Sequence, residues 1–71
     1  MKQFQIRSYG LKELAQLYFP LSTPSSASRQ LRYWMRIDKL KMKLEHVGYH
    51  SGQKILTPLQ VQTIVEHVGE P

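Results

Sequence analysis

The sequence predicts a mainly helical domain of about four helices with a small two-stranded ribbon. Three observations predict this fold class. Apolar residues recur at helical spacing in four segments of the chain. Thr23-Pro24 and Thr57-Pro58 are typical helix starts, because threonine caps free amides and proline fits the first helical position. Phe4–Arg7 and Lys54–Leu56 are short and suited to paired strands. With 71 residues, positions 1–71 are predicted to form a single domain.

The first quarter of the chain is predicted to contain one strand and one helix. Phe4–Arg7 alternates apolar and polar residues, which indicates a short strand, and Ser8–Gly10 is predicted to turn the chain. Pro20 ends the first helix because the residue before a proline is pushed out of the helical region. The core-facing stripe of that helix is Leu11, Leu14, Ala15 and Tyr18.

The middle of the chain is predicted to hold two helices. The second helix runs from Pro24 or Ser25 to Ile37. Asp38 is predicted to cap a third helix over Lys39–Val47, which Gly48 ends. The core faces are Ala27, Leu31, Trp34 and Met35 in the second helix, and Leu40, Leu44 and Val47 in the third.

The last part of the chain carries the strongest helix signature. Lys54–Leu56 is predicted to pair with the N-terminal strand. Thr57 is the expected N-cap and Pro58 the first helical residue. Gln60, three residues after Thr57, is predicted to complete a capping box with it. Gly69 is predicted to close this helix, whose apolar stripe is Val61, Ile64, Val65 and Val68.

Composition excludes several classes of protein. The chain has no cysteine, and therefore no disulfide framework and no thiolate metal site. No apolar run approaches the roughly 20 residues that span a membrane, and Met1–Gln5 does not resemble a signal peptide. We therefore expect a soluble, cytoplasmic protein without membrane association.

Positive charge is concentrated in one part of the chain. The net charge is +5, and residues 1–43 carry nine lysines and arginines against two acids, whereas residues 44–71 carry one against three. Six of the ten basic residues lie between Arg29 and Lys43. Such clustering favours a polyanionic partner, and nucleic acid is the commonest for a small cytoplasmic protein.

The second helix has the pattern of a recognition helix. At about 100° per residue its arginines and Tyr33 fall in one narrow arc, opposite the apolar face. A helix, a turn and a basic helix together indicate a helix-turn-helix, whose second helix lies in the major groove of double-stranded DNA. The predicted DNA-contacting residues are Ser25, Ser26, Ser28, Arg29, Arg32, Tyr33, Arg36 and Lys39.

Different roles are expected within this set. Arg29 and Arg32 are candidates for base contacts, because the guanidinium fork matches the two acceptors of guanine. Arg36 and Lys39 lie further along and are expected to hold phosphate, and the three serines can reach a phosphate or a base edge. Lys41 and Lys43 add sequence-independent attraction. A domain this small offers limited contact area, so specific binding calls for a homodimer or a protein partner.

Two rival functions use overlapping residues. In the first, a protein–protein interaction module docks an acidic partner through the same basic face. In the second, single-stranded RNA stacks on Tyr9, Tyr33 and Tyr49, which lie on separate predicted elements. An alternative interpretation of Tyr33 is a surface residue that packs on its neighbours and binds no nucleic acid. The free amides at the start of the second helix have two interpretations as well. They bind a DNA phosphate, or Thr23 caps them.

Catalysis and metal binding find little support in the sequence. Acidic residues are few and scattered, and no nucleophile–base pair follows from the spacing. Glycine is too sparse for a phosphate-cradling loop, so we expect no enzyme activity and no cofactor. His46 and His50 are four residues apart, but Gly48 is predicted to break the helix between them, and no metal site is predicted.

Three stretches resemble the winged helix domains of MerR-like and excisionase-like proteins. Ile6–Ala15 resembles their opening strand and first helix, and Leu31–Trp34 resembles the Arg-Tyr-aromatic run of their recognition helix. Gly48–His50, with Leu56–Val61, resembles the wing and the helix after it. The resemblance implies a winged helix-turn-helix that acts as a transcriptional regulator or accessory DNA-binding factor.

The chain also departs from that winged pattern. Lys39–Val47 is an extra helix, the wing is brief, and no coiled coil follows for dimerisation. Over nearly its full length the chain more closely resembles a small uncharacterised bacterial family of about this size. Thr57-Pro58 and the ending Ile64–Pro71 carry this second resemblance, which implies the fold class and leaves function open.

Overall fold

The chain folds into four helices and one two-stranded ribbon. A computed structural model describes residues 4–71, and Asp38 is described by its backbone alone. This architecture confirms the predicted fold class. None of the helices in this part of the chain is long and apolar enough to cross a membrane. In chain order the elements are β1 Tyr9–Gly10, α1 Leu11–Tyr18, α2 Pro24–Arg36, α3 Asp38–His46, β2 Ile55–Leu56 and α4 Pro58–Val68.

The N-terminal strand of the ribbon lies later in the chain than predicted. Tyr9 pairs with Leu56 and Gly10 with Ile55 in antiparallel register, so the predicted strand over Phe4–Arg7 and the predicted turn over Ser8–Gly10 are wrong. Burial explains the difference, because Tyr9 and Leu56 both enter the core while Ile6 stays 45% exposed. The alternation of apolar and polar residues over Phe4–Arg7 therefore does not mark the strand that pairs in the core.

Helix α1 packs more extensively on α2 than on any other element. Both helices bury small or branched apolar residues there, and residues 19–23 connect them. Polar side chains hold this turn: Gln16 donates to the Ser22 carbonyl at 2.8 Å, and Gln30 donates to the Ser22 hydroxyl at 3.0 Å. The predicted helix, turn and basic helix thus follow one another in the fold, with Thr23 capping α2 as expected.

A break of one residue separates α2 from α3. Ile37 has an extended backbone, and its N–H donates to the Trp34 carbonyl, so α2 ends at Arg36 and α3 begins at Asp38. The N-cap is therefore Ile37, and the prediction that Asp38 caps α3 is wrong. Isoleucine has no side-chain acceptor for the free amides, so the N-cap residue does not cap this helix start.

The end of α3 follows the predicted glycine stop. Tyr49 N–H donates to the Leu44 carbonyl at 2.9 Å, and Gly48 N–H donates to the Glu45 carbonyl at 3.2 Å. These two bonds form a Schellman motif, which requires the left-handed backbone of Gly48 at φ 86°. The chain leaves α3 sharply there and enters the loop of residues 49–52.

One core cluster unites all six elements. Of the predicted core residues, Tyr18, Trp34, Val47 and Val65 are half-buried against it, and Val68 is exposed. Trp34 contacts Tyr18 edge-on and lies 4.8 Å from Phe19, measured between ring centroids. The fully buried apolar residues are Tyr9, Leu11, Leu14, Ala15, Ala27, Leu31, Met35, Leu40, Leu44, Leu56, Val61 and Ile64.

Gln60 is a buried polar side chain at the start of α4. It completes the predicted capping box, since its Oε1 accepts from Thr57 N–H at 3.1 Å while its own N–H donates to Thr57 Oγ1 at 3.2 Å. Its Nε2 donates to the Val47 carbonyl at 3.2 Å, and its Oε1 also accepts from Gln53 Nε2. One side chain therefore joins the start of α4 to the end of α3 and to the loop before β2.

Replacing Gln60 tests this connection. Gln60→Leu keeps the side-chain size but leaves the Val47 carbonyl and the Thr57 N–H without their partner. We expect the free energy of unfolding to fall by about 2–4 kcal/mol, measured by chemical denaturation. The control, Gln62→Leu on the exposed face of α4, should change it by less than about 0.5 kcal/mol. Equal losses in the two variants would contradict a special role for Gln60.

Tyr18 gives the fold a defined response to alkali. Its hydroxyl donates to the Gly69 carbonyl at 2.6 Å, which ties α1 to the end of α4. Burial, with a smaller effect of the negative charge of Glu70, raises the pKa of Tyr18 from 10.0 to about 12. Because the unfolded chain ionises first as pH rises, the stabilisation is complete below pH 10 and is lost as pH rises towards about 12.

Removing the phenol of Tyr18 should flatten this response. Tyr18→Phe should show a smaller loss of unfolding free energy than the unsubstituted protein between pH 10 and about 12, because the shifted group is gone. Denaturant unfolding over this pH series measures the difference, and Tyr33→Phe, at an exposed position of α2, controls for loss of a phenol. Identical slopes in Tyr18→Phe and the unsubstituted protein would rule out this origin.

Candidate nucleic-acid interface

The arginine side chains of α2 share one side of the helix, away from its core residues Ala27 and Leu31. Arg29, Arg32 and Arg36 are exposed, whereas Leu31 and Met35 are at most 1% exposed. The periodicity of the helix makes this separation, because positions three and four apart share a face. Helix α4 packs chiefly against α3, so the arginine face of α2 stays open to solvent.

These arginines line an open groove of about 1030 Å³. We call it the basic groove. Helix α2 forms one side, α3 and the loop of residues 49–52 form the other, and α1 contributes one residue. Its lining comprises Lys12 of α1, Ser25, Ser28, Arg29, Arg32, Met35 and Arg36 of α2, Lys41 and Glu45 of α3, and Tyr49, His50, Ser51 and Gly52 of the loop.

The positive charge of the basic groove is not neutralised by ion pairs within the described side chains. Among these, the one ion pair lies elsewhere, between Arg7 and Glu13 at 2.9 Å. There the Arg7 guanidinium, together with the Gly10 N–H, holds the pKa of the Glu13 carboxyl below its usual range. Glu45 adds a carboxylate to the α3 wall without pairing with an arginine. The groove can therefore attract an anionic ligand.

Five of the eight residues predicted to contact DNA come together in the basic groove: Ser25, Ser28, Arg29, Arg32 and Arg36. Ser26 and Tyr33 do not line it, because at 100° per residue both lie on the far side of Arg29 from Ser28. The Ser26 hydroxyl accepts from Gln30 instead, and Tyr33 is 57% exposed. Lys39 is exposed beyond the break at Ile37 and also lies outside the groove.

Apart from Lys41, which is predicted to add sequence-independent attraction, the other wall of the groove is absent from the predicted site. Lys41 and Glu45 share a face of α3 because they are four residues apart, and this spacing is the one signal in the sequence. Lys12 is exposed on α1 and is not among the residues predicted to contact DNA. The position of residues 49–52 depends on the turn at Gly48 and on Gln53, which accepts from His50 N–H at 3.4 Å and donates to Gln60.

The structure argues against a stacking role for Tyr9. The residue is 5% exposed, and its ring stacks on Phe4 at 5.4 Å between centroids, with the Arg7 guanidinium 3.8 Å above it. Of the three tyrosines predicted to bind single-stranded RNA, Tyr49 alone lines the groove. The prediction that all three form stacking surfaces is therefore wrong, because Tyr9 supplies packing for the ribbon.

Among the side chains that the structure describes, histidines and carboxylates do not form a metal centre. Within residues 4–71, apart from the side chain of Asp38, no three of these groups lie close enough to hold a metal ion. His50 lines the groove, whereas His46 is the last residue of α3, and the left-handed Gly48 separates them. His67 Nδ1 lies 3.5 Å from Lys43 Nζ on the opposite side of α3 from the groove wall.

Ser28 is an unusual member of the groove lining. It is 4% exposed, and its Oγ, a buried polar atom, has no hydrogen-bond partner among the residues that the structure describes. A buried hydroxyl without a partner costs about 1–3 kcal/mol of stability, because it gives up its hydrogen bonds to water. Alanine at this position would avoid that cost and would also favour the helix.

Substitution of Ser28 should therefore stabilise the fold. Ser28→Ala is expected to raise the free energy of unfolding by about 1–2 kcal/mol in chemical denaturation. Ser26→Ala provides the matched control, since its hydroxyl has a partner in Gln30, and should change stability by less than about 0.5 kcal/mol. A loss of stability in Ser28→Ala would show that the hydroxyl has a partner in the folded protein.

Comparison with known proteins gives a family match along nearly the whole chain. A family model described as "Domain of unknown function (DUF4248)" matches residues 5–71. No curated protein and no solved structure matches the chain. The match supports the predicted similarity to a small family of unknown function. It shows no relation to MerR-like or excisionase-like domains, so that resemblance stays a prediction.

Proposed function

Because the chain belongs to the DUF4248 family, whose description names no activity, we propose a function from the basic groove: the protein binds double-stranded DNA and places α2 in the major groove. The observation that carries this proposal is the row of three exposed arginines on one face of α2. An exposed row of arginines on a rigid helix is the usual means of reading DNA.

The rigidity of α2 supports this use. Its opposite face is anchored by Ala27 and Leu31, both fully buried, and its N-terminus is capped by Thr23. The guanidinium groups therefore project from a backbone that cannot shift without opening the core. Pre-positioned arginines lose less conformational freedom on binding than arginines on a loop would lose.

The two ends of α2 suit different contacts. In a helix-turn-helix the N-terminal part of the second helix reaches base edges. Arg29 and Arg32, the sixth and ninth of the 13 residues of α2, would each present two donors to a guanine. Arg36 and Lys41 lie further along the groove and suit phosphate oxygens. The loop of residues 49–52 lines the same groove and, in the proposed complex, would act as a short wing beside the DNA backbone.

The size of the domain bears on how it would act. A single small module buries about 600–1,000 Å² of protein surface on DNA. Specific recognition therefore calls for a second copy or a protein partner, and the protein would serve as a transcriptional regulator or an accessory DNA-binding factor. This role follows from the proposed binding and from the resemblance to winged helix domains.

A pair of charge-matched variants tests the proposal. Arg29→Ala with Arg32→Ala should weaken binding to a duplex by at least about thirtyfold at constant salt, because each lost contact is worth about 1 kcal/mol or more. Lys43→Ala with Lys54→Ala removes the same charge outside the groove and should weaken it by no more than about threefold. Fluorescence anisotropy with labelled DNA measures both affinities.

The same assay separates the rival functions. Equal losses in the two double variants would show attraction by net charge alone and would contradict binding through α2. Tighter binding to an acidic peptide than to the duplex would favour a protein partner. Tighter binding to a single strand of the same length would contradict insertion into the major groove and would favour base stacking on Tyr49.

A further inference from the structure

We propose that the N-terminal end of α2 forms a dedicated subsite for one phosphate group, held by Ser25 and Ser28, with the positive charges of Arg29 and Lys12 alongside. The inference rests on the proposed DNA binding for its biological source, but the subsite itself is argued from geometry alone. Its ligand is a phosphate carrying negative charge on its oxygens, either within a DNA backbone or as a free ion.

The arrangement of residues along α2 brings the subsite together. Ser25, Ser28, Arg29 and Arg32 follow the spacing i, i+3, i+4 and i+7, so they form one stripe of the helix surface. All four line the basic groove. Lys12 reaches the same groove from α1, the helix that packs most extensively on α2. Hydroxyl, guanidinium and ammonium donors therefore line the same groove.

The backbone contributes a further donor. Pro24 has no N–H, Ser26 N–H donates to Thr23 Oγ1, and Ala27 N–H donates to the Thr23 carbonyl. Ser25 N–H has no acceptor within the part of the chain that the structure describes. It lies in the first turn of a helix of 13 residues, where the helix dipole also favours negative charge.

Ser28 provides the independent evidence for a ligand. A hydroxyl that is buried without a partner is costly, and a native protein that retains one calls for an explanation. The small exposed surface of Ser28 belongs to the groove lining, and rotation about its Cα–Cβ bond moves the hydroxyl between staggered positions. A phosphate oxygen at this end of the groove would give the hydroxyl the acceptor that it lacks.

The chemistry of the donors selects an anion with several acceptor oxygens. Two hydroxyls, a backbone N–H, a guanidinium and an ammonium together offer more donors than one carboxylate can accept. Arginine and a helix N-terminus both favour phosphate because its oxygens accept from several directions at once. Glu45 lines the same groove from α3 and forms no ion pair with the arginines of α2, so these arginines keep their positive charge unpaired.

Inorganic phosphate is the direct probe of the subsite. In a ¹⁵N–¹H NMR titration, phosphate should shift the amides of residues 25–29 saturably, whereas sodium chloride at equal ionic strength should not. Ser28→Ala should weaken phosphate binding by about tenfold, the value of a lost hydrogen bond to a charged group. Ser26→Ala removes a hydroxyl from the opposite side of the same turn. It should bind phosphate as tightly as the unsubstituted protein does.

Duplex DNA forms the second arm of the experiment. Ser28→Ala should bind a duplex about tenfold more weakly than Ser26→Ala while unfolding at a higher temperature, a combination that a structural role alone would not produce. Equal phosphate affinity in the two serine variants, or no saturable shift at residues 25–29, would overturn the subsite.

The two arms also separate this inference from the proposed function. Phosphate binding that depends on Ser28, in a protein with no affinity for duplex DNA, would support a site for free phosphate and overturn the DNA-binding function. Duplex binding that depends on Arg29 and Arg32 but not on Ser28 would keep the function and overturn the subsite.

Discussion

The buried side chain of Gln60 is the interaction on which the arrangement of the groove depends. It satisfies the first turn of α4, accepts from Gln53 and donates to the carbonyl at the end of α3. Gln53 in turn accepts from His50 N–H and donates to the Ile55 carbonyl. These bonds link α3, the loop of residues 49–52, β2 and α4, so the groove wall opposite α2 is held by polar contacts inside the fold.

A polar side chain in this position combines two properties. It is stabilising because every donor and acceptor it offers is used, and it specifies geometry because hydrogen bonds are directional where apolar contacts are not. An apolar residue of similar size would fill the same volume but would leave the loop free to take other positions. The fold therefore fixes the loop beside α2 at little cost in core packing.

Unlike the polar groups of Gln60, the charged groups of α2 have no partners among the described side chains. Few acids accompany the arginines of α2, and none of the side chains described neutralises them, so positive potential accumulates at one groove. Unpaired like charges contribute little to stability and repel one another. Together with the unsatisfied hydroxyl of Ser28, these charges are the observations on which the proposed binding of an anionic ligand rests.

The sequence by itself determined the helices and the arginine face, because periodicity, Thr-Pro caps and glycine stops act within a few residues. The starts of α2 and α4 and the stop at Gly48 follow those local rules. Tertiary structure alone decided where β1 lies, since burial of Tyr9 against Leu56 outweighs the alternation of Phe4–Arg7. It also decided the second wall of the groove, because the break at Ile37 and the distant contact between Gln53 and Gln60 set its position.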